Sequence, residues 1–206
     1  IFAFGDRARV SAGSDVPIVF FSRRIGLSAG QSVPVRIGGR VNGKAGAYDI
    51  GLLNIQTGEK ESARAVPTNF SVVRIKRDIL RRSSVGIIAT ERVETSGGSQ
   101  SNFAAGADAV LRFTDESTLT GYYAQTKTKG VSEDGASYRG RFDYAADRYG
   151  LVLEHLLVGG GFNPEVGFLR RTDFRRSFVQ ARFSPRPAKN KAVRKLSWQG
   201  SFDYVT

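Results

Sequence analysis

Few residues in this 206-residue chain have the types and spacing that chemistry requires. Asp143 and Asp147 share one strand parity, and Glu154 follows on the next predicted strand. Paired carboxylates perform acid–base chemistry in glycosidases when they lie about 5–10 Å apart. Charge ladders between neighbouring strands explain this group more simply, because arginines surround it. We therefore predict that the chain is not an enzyme. The flanking residues are Arg139, Arg141 and Arg148.

Metal and cofactor sites are not indicated by the sequence. His155 is the single histidine, and the chain has no cysteine. A lone histidine without cysteines or clustered carboxylates is a poor metal site. Residues 132–135 lack the spacing of a calcium loop, and the three glycines at 159–161 lack the lysine and helix of a phosphate loop. The sequence predicts neither a metal nor a cofactor.

The charge balance is strongly basic, with 31 Lys and Arg against 19 Asp and Glu and a net charge of +12. Such a surplus is typical of proteins that meet nucleic acid, anionic lipid headgroups or an anionic ligand. Here the basic residues are spread along predicted strands and turns and are not gathered in one tail or helix. This distribution argues against nucleic acid as the partner.

The elements that position these residues are β-hairpins. In the stretch 137–158, Tyr138 and Phe142 fall on one parity, whereas Arg139 and Arg141 fall on the other. A period of two with an aromatic and a charged face indicates a half-buried strand. The pattern recurs along most of the chain and predicts about ten or eleven strands. No stretch has the period of an amphipathic helix.

The chain is predicted to be a fragment of one β-barrel domain that spans residues 1–206. Residues 1–32 form an irregular entry segment with a short strand at 16–21, and residues 33–206 form consecutive hairpins. The Asn-Gly pair within 42–46 predicts the first hairpin turn. The sequence opens within a pattern and ends in a strand-like run, which is typical of an excised piece.

The predicted fold class is all-β, an antiparallel up-and-down meander that forms part of a transmembrane β-barrel. Its strands of about 9–12 residues exceed the usual mode of about 5–6 and match the length that crosses a bilayer. Short and long connections alternate, as they do in outer-membrane barrels. A soluble barrel shows the same alternation of apolar and polar residues along its strands, with the apolar side chains inside. The alternation therefore does not distinguish a soluble barrel from a membrane barrel.

The polar parity supplies the first set of candidate site residues, since this parity lines the lumen of a membrane barrel. An electropositive lumen would favour anionic solutes. Alternatively, the arginines neutralise lumenal carboxylates, which include Asp203. The predicted lumen-facing residues are Arg36, Arg40, Asp108, Arg112, Lys127, Arg139, Arg141, Asp143, Arg176 and Arg182.

The second candidate is the longest irregular stretch, residues 159–173, which mixes apolar and basic side chains. Such a loop either binds a partner or folds inward as a plug that only packs. The residues predicted to form this functional loop are Phe162, Asn163, Pro164, Glu165, Arg170 and Arg171.

Four blocks, at 20–26, 39–51, 67–74 and 162–171, resemble in order and content the DUF5916 family, a domain of unknown function. The resemblance implies an outer-membrane-type β-barrel that follows a family 9 carbohydrate-binding-like domain. It implies outer-membrane lipid as one partner, and carbohydrate as another through an N-terminal domain absent from this sequence. The family contributes no catalytic residues.

Together these features predict a β-barrel segment in the Gram-negative outer membrane. It would act in transport as a pore, or as the membrane anchor of a carbohydrate-binding module. The alternative is a soluble all-β module that binds polysaccharide, in which Trp198 and the tyrosine-rich strands stack on sugar rings.

Overall fold

The computed structural model describes residues 2–5, 15–96, 100–131, 135–187 and 194–206, and the regular secondary structure of these residues is almost entirely β. They form twelve strands and two short 3-10 turns, Ser22–Arg24 and Glu61–Ala63. Ten strands build one antiparallel sheet in which each strand pairs with its neighbours in sequence. The predicted all-β antiparallel meander is therefore confirmed. The described sheet is open, with its first and last strands at the two edges.

The strands of the sheet have 8 to 12 residues each. A separate hairpin of two short strands, β1 (Leu27–Ser28) and β2 (Gln31–Ser32), precedes them. The sheet consists of β3 (Val35–Ala45), β4 (Tyr48–Thr57), β5 (Thr68–Ile79), β6 (Ser83–Glu94), β7 (Ser101–Arg112), β8 (Ser117–Thr128), β9 (Ala136–Ala145), β10 (Tyr149–Val158), β11 (Phe174–Phe183) and β12 (Trp198–Val205).

The connections define two ends of the sheet. The connections after β4, β6, β8 and β10 lie at one end, which we call the long-loop end. Those after β3, β5, β7 and β9 are shorter and lie at the opposite, short-turn end. The connection between β11 and β12 also belongs to the short-turn end, although it is long.

The predicted turn at 42–46 is wrong, because β3 continues through Asn42 and Gly43. These residues pair with Gly51 and Ile50 of β4, so cross-strand pairing overrides the local Asn-Gly signal. The chain reverses after Ala45, where Gly46 has a φ of +59°. Glycine adopts this left-handed conformation without a steric penalty.

The predicted strand at 16–21 is also wrong. Ile18 forms an isolated bridge with Phe168, and the Phe21 N–H donates to the carbonyl of Val166 at 2.9 Å. This segment therefore pairs with an irregular loop, so no continuous strand forms. The approach is close, since a Cβ on Gly167 would collide with the Ile18 carbonyl oxygen.

One face of the sheet, which we call the covered face, packs against three segments: residues 2–5, 15–33 and 159–173. Phe4 and Tyr122 bring their ring centroids within 5.4 Å, and the loop residues Phe162 and Val166 are completely buried. Burying these apolar side chains supplies the main favourable free energy of the fold. The sheet residues of this core are Phe70, Val72, Ile88, Ala104, Tyr122, Ala124, Leu156, Val158 and Phe174. We call the opposite face the bare face.

The assignment of the two faces predicts opposite outcomes for two leucines of β10. Leu156 is fully buried on the covered face, whereas Leu153 is 41% exposed on the bare face. Leu156→Ala should lower the free energy of unfolding by about 2–5 kcal/mol, because it leaves a cavity. Leu153→Ala, the matched control, should change it by about 0.5 kcal/mol. Urea titration followed by Trp198 fluorescence measures both, and equal losses would contradict the assignment.

Candidate functional site

The bare face carries a continuous apolar surface. Cross-strand pairing places two rows of apolar side chains side by side, and together the rows reach from β4 to β12. Soluble monomers rarely expose a contiguous apolar patch larger than a few hundred Å², so this surface indicates an interaction with something apolar. One row is Ile50, Ile75, Ile87, Ala107, Tyr123, Tyr138 and Leu157. The other is Leu111, Leu119, Phe142, Leu153, Val179 and Phe202.

Charged side chains on the bare face lie towards the strand ends. Glu91 and Lys127 pair on either side of Phe103 near the long-loop end. At the short-turn end, the guanidinium of Arg77 lies 5.1 Å from the ring centroid of Tyr48. The bare face therefore has an apolar middle with charges and aromatic rings at its margins.

Lys127 was predicted to share the polar parity, and this prediction is wrong. Lys127 shares the bare face with Tyr123 and Gln125 of the same strand, and it pairs with Phe103. The reason lies in the composition of β8, where Tyr122 and Tyr123 are adjacent and threonines occupy the covered face. The two tyrosines point to opposite faces, and threonine is only partly polar. The sequence of β8 therefore does not show which of its faces is buried.

An aromatic stack occupies the short-turn end of the bare face. Phe183 lies between Tyr149 and Trp198, with ring centroids 5.4 and 5.9 Å away. Tyr149 and Trp198 are both about half exposed. Rings with one free edge or face suit a membrane–water boundary and also suit contact with sugars.

The covered face buries a bidentate ion pair between β5 and β7. Arg74 donates from Nη1 to Asp108 Oδ1 at 2.5 Å and from Nη2 to Oδ2 at 2.9 Å. The two side chains are 2% and 9% exposed. Asp108 also accepts a hydrogen bond from the Gly5 N–H, and Phe4 packs against the guanidinium. Gly86 leaves the space for the guanidinium, because a Cβ there would lie 2.7 Å from Nη1.

A second network joins β9 and β10. Glu154 Oε2 accepts from Arg139 Nη2 at 2.5 Å and from Arg141 Nη1 at 3.0 Å. Arg141 also donates twice to the carboxylate of Asp143, at 2.7 and 2.8 Å. Arg74, Arg139 and Arg141 are therefore matched by carboxylates, which favours neutralisation over an unbalanced positive charge in this part of the covered face.

The structure places eight of the ten predicted lumen-facing residues on the covered face. Arg40 packs over the Phe2 ring, and Arg182 donates to the carbonyls of Ala146 and Asp147. Arg36 lies in a β-bulge beside Gly58, where alternation does not assign a face. The eight are Arg40, Asp108, Arg112, Arg139, Arg141, Asp143, Arg176 and Arg182.

The first half of the predicted functional loop packs into the molecule. The Asn163 N–H donates to Thr126 Oγ1 at 2.9 Å, and its carbonyl accepts from the Asn102 amide at 2.9 Å. Glu165 accepts from Arg92 Nη1 at 2.9 Å. Phe162 and Pro164 are buried, whereas Arg170 and Arg171 are exposed. The loop therefore packs through 162–166 and presents its basic end to the surface.

Asp143 and Asp147, the candidate carboxylate pair, take separate partners. Asp143 belongs to the covered-face network, whereas Asp147 lies in the β9–β10 turn. Lys195 and Arg186 both donate to Asp147, at 3.2 and 2.8 Å. The hydrogen bond from Lys195 and the two positive charges lower the pKa of Asp147. These contacts tie the β11–β12 connection to the neighbouring turn.

Two neighbouring cavities, of about 450 and 300 Å³, open at the long-loop end. The larger lies among the β1–β2 hairpin, the connection 57–68 and the ends of β5 and β6. The smaller runs along 163–172. Arg24 and Asn163 line both, so the cavities adjoin. The larger is within the size range of small-molecule sites, and the smaller is at its lower limit.

From the sequence, Arg74 and Arg92 receive no site role, and Glu154 is assigned to a carboxylate group that charge ladders explain better than catalysis. Arg74 follows Thr68, Phe70 and Val72 on one parity, so alternation alone puts it on the buried face. A charged residue at such a position requires a partner, and this was the available signal. Arg92 gave no comparable signal, since one of its partners, Glu165, is 73 residues away.

Searches for other kinds of site and for relatives gave negative results. Within the described parts of the chain, no three His, Cys, Asp or Glu residues are grouped to hold a metal ion. The same residues contain no helix that is long and apolar enough to span a membrane. No family model, curated protein or solved structure matches the chain. The resemblance to the DUF5916 family therefore stays a prediction.

Because the ion pair is buried, we expect the loss of its negative charge alone to destabilise the fold strongly. Asp108→Asn removes the charge that neutralises Arg74 and should lower the free energy of unfolding by about 3–5 kcal/mol. Asp115→Asn is the matched control, because Asp115 forms an ion pair with Arg82 at the surface. The side chains of Arg82 and Asp115 are 62% and 82% exposed. Exposed pairs contribute about 0–1 kcal/mol. Chemical denaturation of the three proteins tests this, and a loss at Asp115 as large as that at Asp108 would refute it.

Proposed function

We propose that the chain is a segment of a β-barrel in the Gram-negative outer membrane, with its bare face towards lipid. The observation that carries this proposal is the apolar middle of the bare face. Such a surface is costly in water and is stabilised by hydrocarbon, because transfer out of water contributes about 25 cal/mol per Å².

Strand length and the distribution of side chains support the same function. Nine of the ten sheet strands have 10–12 residues, and a tilted membrane strand requires about 9–11. Phe103 on β7 and Phe113, which directly follows that strand, flank Ala105, Ala107, Ala109 and Leu111, and this arrangement matches an apolar band between two aromatic girdles. The charges of the bare face lie outside this band.

The covered face supports an anchor better than a permanently open pore. Its core side chains pack against residues 2–5, 15–33 and 159–173, and its buried arginines are paired. A wide channel needs a polar wall in contact with water. The proposed role is therefore the membrane anchor of a carbohydrate-binding module, as the DUF5916 resemblance implies.

Cysteine labelling tests which solvent the bare face meets. The chain has no cysteine, so Ala107→Cys and Leu80→Cys each introduce a single thiol. In cell envelopes that contain the full-length protein, Ala107→Cys should react with a lipid-soluble maleimide and resist a charged one. Leu80, which is 86% exposed in the β5–β6 turn, should react with the charged reagent after the membrane is made permeable to it. Equal reaction of both cysteines with the charged reagent would refute the membrane location.

The aromatic stack favours a second candidate, a soluble module that binds polysaccharide. Tyr149 and Trp198 expose ring surface beside Phe183, and sugar rings stack on such surfaces. This function predicts a folded chain in detergent-free buffer and weaker binding to polysaccharide after Trp198→Ala. Insolubility without detergent, together with lipid-restricted labelling at position 107, would exclude it.

A further inference from the structure

The two cavities at the long-loop end have a marked imbalance of charge. Among the described residues that line them are five arginines and two glutamates. Both glutamates are already engaged by one arginine, because Arg92 donates to Glu94 at 3.0 Å and to Glu165 at 2.9 Å. The remaining arginines are Arg24, Arg64, Arg170 and Arg171. The imbalance makes the site electropositive.

Two of these arginines have guanidinium groups available for a ligand. Arg24 and Arg64 are exposed, and within the described residues neither side chain has a hydrogen bond or ion pair. Arg24 lies where the two cavities adjoin, and Arg64 lies on the larger one. The cavity therefore presents two guanidinium groups, ten N–H donors in all, without a protein acceptor.

The backbone at Arg64 adds a second observation. Its φ of +46° lies in the left-handed region, which is uncommon for residues other than Gly, Asn and Asp. The conformation ends the 3-10 turn Glu61–Ala63, where the Arg64 N–H donates to the carbonyl of Glu61. The left-handed conformation holds Arg64 at the end of this turn, on the wall of the larger cavity.

We propose that the two cavities form one binding site for a ligand that carries carboxylate or phosphate groups. Planar guanidinium groups match both anions through paired N–H donors. Arg24 is placed to contact an anion at the junction, and Arg64 a second anion in the larger cavity. The buried floor formed by Val33, Thr57, Thr68 and Phe70 would contact the body of the ligand.

The ion pairs of Arg92 allow a second test, in which a substitution should raise the affinity for an anion. Glu165 contributes negative charge to the cavity and occupies a donor of Arg92. Removing that charge with Glu165→Gln strengthens the positive field and weakens the hold on Nη1 of Arg92, while Nη2 stays bound to Glu94. An anion site therefore predicts tighter binding in this variant, whereas removal of an arginine charge predicts weaker binding.

Titration calorimetry of the folded full-length protein tests the site with defined probes. Inorganic phosphate represents the phosphate source, trigalacturonate the carboxylate source, and neutral trigalactose the uncharged control. At low ionic strength, where screening is weakest, we expect at least one anion to bind and trigalactose not to bind. Arg24→Gln and Arg64→Gln should each weaken binding about tenfold, and Glu165→Gln should tighten it.

Arg81→Gln is the matched control, because Arg81 is exposed in the β5–β6 turn at the opposite end of the sheet. It removes the same net charge without touching the cavities and should leave affinity unchanged. Thermal unfolding by circular dichroism checks that each variant is folded. Binding of neither anion, or equal losses in the Arg81 and Arg24 variants, would overturn the proposal. Because the site does not involve the bare face, its failure would leave the membrane proposal intact.

Discussion

The Arg74–Asp108 ion pair constrains the structure because strands alternate strictly. Asp108 is buried only if Ala107 and Ala109 point to the bare face, and Arg74 is buried only if Val73 and Ile75 do the same. A slip of one residue in either strand would expose the charges on one side and bury apolar groups on the other. It would also leave a buried charge without its counter-ion. One ion pair thus fixes the register of three adjacent strands and the identity of both faces.

The same pair explains why the covering segments are necessary. If both faces of the sheet were open to solvent, this guanidinium and carboxylate would be hydrated, and their ion pair would contribute little to the free energy of unfolding. Here Phe4 packs over Arg74 and the Gly5 N–H binds Asp108, which excludes solvent and satisfies a further lone pair. Residues 15–33 and 159–173 extend this cover, and their meeting at Ile18 and Phe168 brings arginines from distant segments together. The basic cavities at the long-loop end are thus a by-product of how the core is covered.

The sequence predicts those features that are set by residues close together in the chain, and it does not predict those that depend on contacts between distant segments. On β7 the alternation from Phe103 to Leu111 is unbroken, and both faces follow from it. On β8 the adjacent tyrosines conceal the parity, so Lys127 was placed on the wrong face. The turn after β3 was misplaced because pairing of Asn42 with Gly51 outweighs a local Asn-Gly preference. The cavities are least predictable, since Asn163 reaches Asn102 across 61 residues and loop sequences carry no periodicity.

The bridge between Ile18 and Phe168 has a consequence for how the protein folds. Hairpins of neighbouring strands close small loops and form early, whereas a contact across 150 residues waits for the chain between them. Ile18 therefore lacks its partner until Phe168 is brought into place by the folding of the strands between them. Until the loop 159–173 docks, the apolar side chains of Val19 and Phe20 are without this part of their cover, and such transiently exposed surface promotes aggregation. We expect chaperones that hold unfolded chains to bind these residues during that interval.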